Sequence, residues 1–137
     1  MKRILIIDDD AFITSVYRNR FTGEGFDVEI APTGTQAVKM LHDSDWDMVI
    51  LDLQLPDFSG VEILTSIRRE KSKRDLPVVV FSNAYLGSMV EAAWKAGANQ
   101  LLTKAQCTPN QLVDAVRRLL EAAPPPSFGN RLSLAGL

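Results

Sequence analysis

Short apolar runs alternate with longer amphipathic stretches along this chain. Ile4-Leu5-Ile6-Ile7 is apolar throughout, the mark of a strand covered on both faces. Asp8-Asp9-Asp10 follows, and Asp10 can cap a helix whose apolar stripe is Ile13, Val16, Tyr17 and Phe21. Gly23-Glu24-Gly25 ends that helix, and residues 26–30 form a short second strand. After Pro32, Thr33 opens a helix with Ala37, Val38 and Leu41 on one face. The third apolar run, Asp47-Met48-Val49-Ile50-Leu51-Asp52, ends in a carboxylate and leads directly into turn chemistry at Pro56 to Gly60. A run this short, rich in Val, Ile and Leu and bounded by Pro and Gly, reads as a buried parallel strand.

Beyond Gly60 a helix presents Val61, Leu64 and Ile67, then a basic end, Arg68-Arg69 and Lys71, matched to the negative end of its dipole. Residues 77–81 form the fourth strand. Leu86, Met89, Val90 and Ala93 give the next helix its stripe, with Gly97 as C-cap. Residues 100–103 are a fifth, weaker strand ending at Lys104. Thr108 caps and Pro109 starts a last helix with Leu112, Ala115, Val116 and Leu119 facing inward, stopped by Pro124-Pro125-Pro126. Five strand–helix units predict an α/β fold with an open, doubly wound parallel sheet, since five cannot close the eight-stranded barrel. Periodicity does not give the strand order. One domain is expected over 1–123. The remainder, 124–137, has no acidic residue and no regular pattern, and reads as a Pro-rich linker or disordered tail.

Composition narrows the function. The 137 residues are 46% hydrophobic and 23% charged, ordinary for a globular domain. A formal net charge of −2 argues against a direct nucleic-acid surface on this segment. No apolar run approaches the roughly 20 residues of a membrane span. The basic N-terminus has no long hydrophobic region, so it is a strand rather than a signal peptide. A single cysteine, Cys107, fits a reducing cytoplasm. The one histidine, His42, lies in a different predicted helix, so Cys107 has no base at hand for nucleophilic catalysis.

Four of the five predicted strands end in residues suited to phosphate or metal chemistry: Asp8-Asp9, Asp52, Ser82 and Lys104. A parallel sheet brings strand ends to one edge, where such folds place their ligand crevice. Three carboxylates gathered there are costly unless a cation or a retained proton offsets them. A hard divalent ion such as Mg²⁺ suits those oxygens. Asp52 can then act as a nucleophile toward phosphorus, Lys104 as a point charge on a phosphoryl oxygen, and Ser82 as a donor to another. Each residue alone is a common cap, turn or solvated charge. Their combination in this order carries the reading.

With Ile4-Leu5-Ile6-Ile7-Asp8-Asp9-Asp10, the stretch from Asp47 through Leu55-Pro56-Asp57-Phe58-Ser59-Gly60, Pro77-Val78-Val79-Val80-Phe81-Ser82, and Lys104, the chain resembles the receiver domain of bacterial two-component response regulators. The resemblance spans roughly residues 2 to 122. It implies a flavodoxin-like (βα)5 sheet of order 2-1-3-4-5. It also implies Asp52 as phosphoacceptor, Asp9 as direct Mg²⁺ ligand, Asp8 acting through water, and the backbone carbonyl of Gln54 completing the metal shell. Ser82 and Lys104 would bind the phosphoryl group, and Gln54 would help position the hydrolytic water. The implied donor is a phosphohistidine on a sensor histidine kinase or phosphotransfer protein. The implied module is a phosphorelay switch rather than a turnover enzyme, with self-phosphorylation and autodephosphorylation at Asp52 as its only chemistry. A metal-dependent phosphatase ranks last, because Gln54 stands where a second acid or base would be needed.

Three positions depart from the family pattern. Ala105 follows Lys104 where the family commonly has a cis proline. A non-proline cis bond costs about 3 kcal/mol, so the loop is expected on another path or under strain. Leu101 replaces the usual switch aromatic, and Asn83 replaces a small residue after Ser82. These departures suit the alternative of a pseudo-receiver, a protein-interaction scaffold without phosphorylation switching. Val90 and Trp94, four apart on the fourth helix, share a face, and Leu101 is expected beside them. They form an expected homodimer or partner surface on the face made by helix 4, strand 5 and helix 5. The plainer reading is that Trp94 caps the core edge.

Overall fold

The structure is a computed structural model that describes residues 1–83 and 87–122. Leu86 of the expected fourth-helix stripe, and the expected tail at 124–137, lie outside the described residues. Five strands and five helices alternate: β1 Arg3–Ile7, α1 Ala11–Gly23, β2 Asp27–Ala31, α2 Gly34–Asp43, β3 Met48–Leu51, α3 Gly60–Arg69, β4 Val78–Ser82, α4 Gly87–Ala96, β5 Gln100–Thr103 and α5 Pro109–Ala122. Single 3-10 turns at Lys71–Lys73 and Lys104–Gln106 were not expected.

All strands pair in parallel in the order β2-β1-β3-β4-β5, the flavodoxin-like order that the resemblance implies. Both sheet faces are covered, which explains the unbroken apolar runs. Leu5, Ile7, Val49 and Leu51 point into one core with Leu41, Leu64 and Ile67 of α2 and α3. Ile4, Ile6, Met48 and Ile50 point the other way, onto Tyr17 and Phe21 of α1 and Leu112 and Val116 of α5. β2 lies at an edge, in keeping with a strand whose end carries no reactive side chain.

The helix faces need three corrections. Along α1 the buried residues are Thr14, Tyr17 and Phe21, while Val16 is 36% exposed. Thr14 tolerates burial because its hydroxyl donates to the Ala11 carbonyl at 3.2 Å. Val38 of α2 is 45% exposed rather than inward. In α5, Val113 joins Leu112 and Val116 in the core, and Ala115 is only half-buried. Strand bounds also move by a residue: β2 and β4 each start and end one later than the runs suggest.

The caps at Asp10, Thr108 and Gly97 fall where the sequence puts them. Asp10 accepts from the Ile13 amide at 3.0 Å, and Thr108 accepts from that of Gln111 at 3.2 Å. Gly97, at φ +108°, closes α4 in a conformation that side chains disfavour. Ser59 and Glu62 form a reciprocal capping box that starts α3. That start is crowded: a Cβ on Gly60 would lie 2.4 Å from the Asp52 carbonyl oxygen. Glycine there lets α3 begin directly against the end of β3.

Candidate functional site

The C-terminal ends of β1, β3, β4 and β5 bring the reactive side chains together. The Asp52 amide donates to the Ile7 carbonyl at 2.9 Å, which sets β3 beside the end of β1. Asp8 and Asp52 are 3% and 5% exposed, whereas Asp9 faces solvent. Lys104 bridges the two buried carboxylates, with Nζ 2.6 Å from Oδ2 of Asp8 and 2.9 Å from Oδ2 of Asp52. The other oxygen of Asp52 accepts from the Ser82 hydroxyl at 2.7 Å and from the Gln54 amide at 3.0 Å. Oδ1 of Asp8 accepts from the Asp10 amide at 2.9 Å. Asp8, Asp9, Asp52, Ser82, Lys104 and the Gln54 backbone thus converge from four places in the chain.

Burial pushes the Asp8 carboxyl above the usual carboxylate range, against the pull of Lys104 and the Asp10 amide, and the charge of Asp52 adds to the rise. For Lys104, burial alone would lower the pKa. The hydrogen bonds and charges of Asp8 and Asp52 outweigh it and hold the ammonium above its ordinary value. Carboxylate oxygens of Asp8, Asp9 and Asp52 lie within 4.8 Å of one another. Three carboxylates against one ammonium leave an excess of negative charge at a pocket with one solvent-facing ligand. An all-oxygen set of this kind fits a hard divalent cation that keeps several waters.

The other expected residues lie around this centre. Asn83 follows Ser82 and is exposed. Leu101 is half-buried and packs on the α3–α4 side of the core. Val90 is half-buried and Trp94 is 48% exposed. After Lys104 the chain takes another path, a 3-10 turn, and no peptide bond among the described residues is cis. Beside Lys104, a recess of about 240 Å³ is lined by Phe12, Ile13, Val16, Tyr17 and Phe81. Phe12 at its rim is 77% exposed.

One residue of the loop that carries Gln54 has no role assigned from the sequence. Asp57, in the loop after β3, accepts hydrogen bonds at the N-terminus of α2 from Gly34 and Thr35. Those partners lie 23 and 22 residues upstream, and no local pattern points to them.

Residues 4–117 match the family model described as the response regulator receiver domain. The DNA-binding response regulator MtrA of Mycobacterium leprae is 31% identical over 119 residues, covering 87% of this chain and 51% of that protein. The chain spans about half the length of that relative. Among solved structures, a CheY-like response regulator receiver domain protein from Methanospirillum hungatei has a TM-score of 0.83 at 26% identity, covering 88% of this chain and 94% of its own. The response regulator TrrA of Thermotoga maritima, solved in complex with Mg²⁺-BeF, has a TM-score of 0.76 at 30% identity, covering 87% and 99%.

Proposed function

This chain belongs to the response regulator receiver domain family, and from that premise we propose that it takes a phosphoryl group onto Asp52 from a phosphohistidine. The donor is a sensor histidine kinase or a phosphotransfer protein. The observation that carries the reading is the pairing at Asp52. One oxygen is held by the Lys104 ammonium, the other by the Ser82 hydroxyl and the Gln54 amide.

A carboxylate oxygen of Asp52 attacks phosphorus, and the phosphorus–nitrogen bond breaks as the phosphorus–oxygen bond forms. The electron pair returns to the imidazole of the donor, which takes up a proton. A Mg²⁺ ion held by Asp8, Asp9, Asp52 and the Gln54 carbonyl would supply charge neutralisation between carboxylate and phosphoryl oxygens; the likeness to TrrA, solved with Mg²⁺-BeF, supports that assignment. Lys104 then exchanges its contact with Asp52 for a phosphoryl oxygen, and Ser82 does the same. Gln54, exposed two residues past Asp52, positions the water that later hydrolyses the acyl phosphate. The recess beside Lys104, with Phe12 at its rim, offers an apolar landing place next to the reacting atoms. Val90, Trp94 and Leu101 form the outward contact for a homodimer or partner. No helix among the described residues is long and apolar enough to cross a membrane.

Incubation with Mg²⁺ and millimolar acetyl phosphate should add one phosphoryl mass to the intact chain, and Asp52→Asn should abolish the gain. No gain on the wild type would sink this reading and leave the scaffold alternative.

A further inference from the structure

We infer that Asp57 is a positioning residue of the phosphoryl site, acting through the loop that carries Gln54. This rests on the roles proposed above for Asp52 and Gln54. The loop leaves Asp52 and doubles back: Gln54 and Ser59 form an isolated antiparallel bridge, and the Gly60 amide donates to the Leu53 carbonyl at 2.9 Å. Its tip reaches the first turn of α2. There Oδ1 of Asp57 accepts from the Gly34 amide at 2.7 Å, while Oδ2 accepts from the Thr35 amide at 2.9 Å and its hydroxyl at 2.7 Å.

The fit is close. A Cβ on Gly34 would lie 2.3 Å from a ring carbon of Phe58 and 3.0 Å from the Asp57 carboxylate. α2 has its own cap, Thr33, whose hydroxyl accepts from the Gln36 amide at 3.1 Å. Asp57 therefore does more than help start the helix: it ties the loop to an element that Ala37 and Leu41 anchor in the core. At its other end the loop presents the Gln54 amide to Asp52. Held at both ends, the loop fixes where the Gln54 carbonyl stands relative to the carboxylates. Residues that orient a metal ligand typically govern affinity by about tenfold or more.

The test is a titration with MgCl2 alone, followed by NMR through the amides of residues 53–59. It compares the wild type with Asp57→Ala, Asp57→Asn and Thr33→Ala. The half-saturating Mg²⁺ concentration should rise about tenfold in Asp57→Ala. It should recover in part in Asp57→Asn, which keeps an acceptor oxygen. Thr33→Ala loosens the same helix end without touching the loop and should titrate like the wild type. Equal titration of Asp57→Ala and wild type overturns the inference, as does an equal rise in Thr33→Ala. Should Asp57→Ala fail to fold, Thr35→Val, which lacks only the hydroxyl donor, must show a smaller rise, and no rise overturns the inference. A wild type that ignores both Mg²⁺ and acetyl phosphate overturns the underlying reading as well. A wild type that responds, with variants that match it, overturns the inference only.

Discussion

Lys104 has a 9% exposed side chain between two carboxylates that are more buried still. Removing an ammonium from such a site leaves buried charge uncompensated, and breaking a buried pair costs about 3 kcal/mol or more. Lys104→Met should therefore lower the melting temperature. Added Mg²⁺ should then raise it by more than in the wild type, because the cation takes over the missing positive charge. Thermal melts with and without MgCl2 check this, and equal Mg²⁺ shifts in both proteins would show that the two cations do not share one charge. Asp8, Asp52, Ser82 and Lys104 were legible in the sequence because each stands at the end of an apolar run, and a parallel sheet carries such ends to one edge. Asp57 was not, because what it does depends on which loop lies over which helix.

At the scale of elements, α2 takes part of its N-terminal capping from another loop. The Thr35 hydroxyl, together with the Thr35 and Gly34 amides, holds the Asp57 carboxyl at about 2, below its ordinary 3.8. A depressed carboxylate pKa means stability that is present above the unfolded value and lost as pH falls through the folded one. The stability gap between wild type and Asp57→Asn should accordingly be full above about pH 4 and shrink toward pH 2. Denaturant unfolding at several pH values measures it, and a gap constant across that window would rule the cap out. The elements themselves follow from the apolar pattern, and their caps from local polar residues. The azimuth of a helix is harder to read. Val16 and Val38 look like core residues in sequence, yet a single apolar side chain on a surface costs little and leaves no mark. Thr14 hides its polarity in its own helix, so its burial is equally silent. Strand ends shift by a residue because the ladder of a neighbour decides where pairing stops.

For the molecule as a whole, the strand order came from the resemblance, since crossovers leave no trace in periodicity. Long-range polar ties then secure the layers. Arg68 of α3 donates to the Gly97 carbonyl at 3.1 and 2.8 Å, to the Leu76 carbonyl at 2.6 Å and to Asn99 at 2.8 Å. It thereby fastens the C-terminal end of α4 and the approach to β4. Across the sheet, Arg20 pairs with Glu24 at 2.6 Å and with Asn110, and Arg117 with Glu24, joining α1 to α5. The outward face keeps Trp94 half in water. If that face is the contact between copies, the wild type should show concentration-dependent dimerisation by sedimentation velocity, and Trp94→Ala should weaken it. Identical sedimentation of the two would reduce Trp94 to a lid on the core edge.

The shared hold on Lys104 has a chemical consequence for the phosphorylated state proposed here. An aspartyl phosphate is an activated acyl group, and a neutral amine beside it would attack the acyl carbon, expel inorganic phosphate and lose a proton to form an amide crosslink. Asp8, 2.6 Å from the lysine nitrogen, keeps a carboxylate partner on it after Asp52 is modified. The nitrogen stays protonated and has no lone pair to offer. The same contact that gathers charge for phosphoryl transfer thus protects the product from its nearest nucleophile.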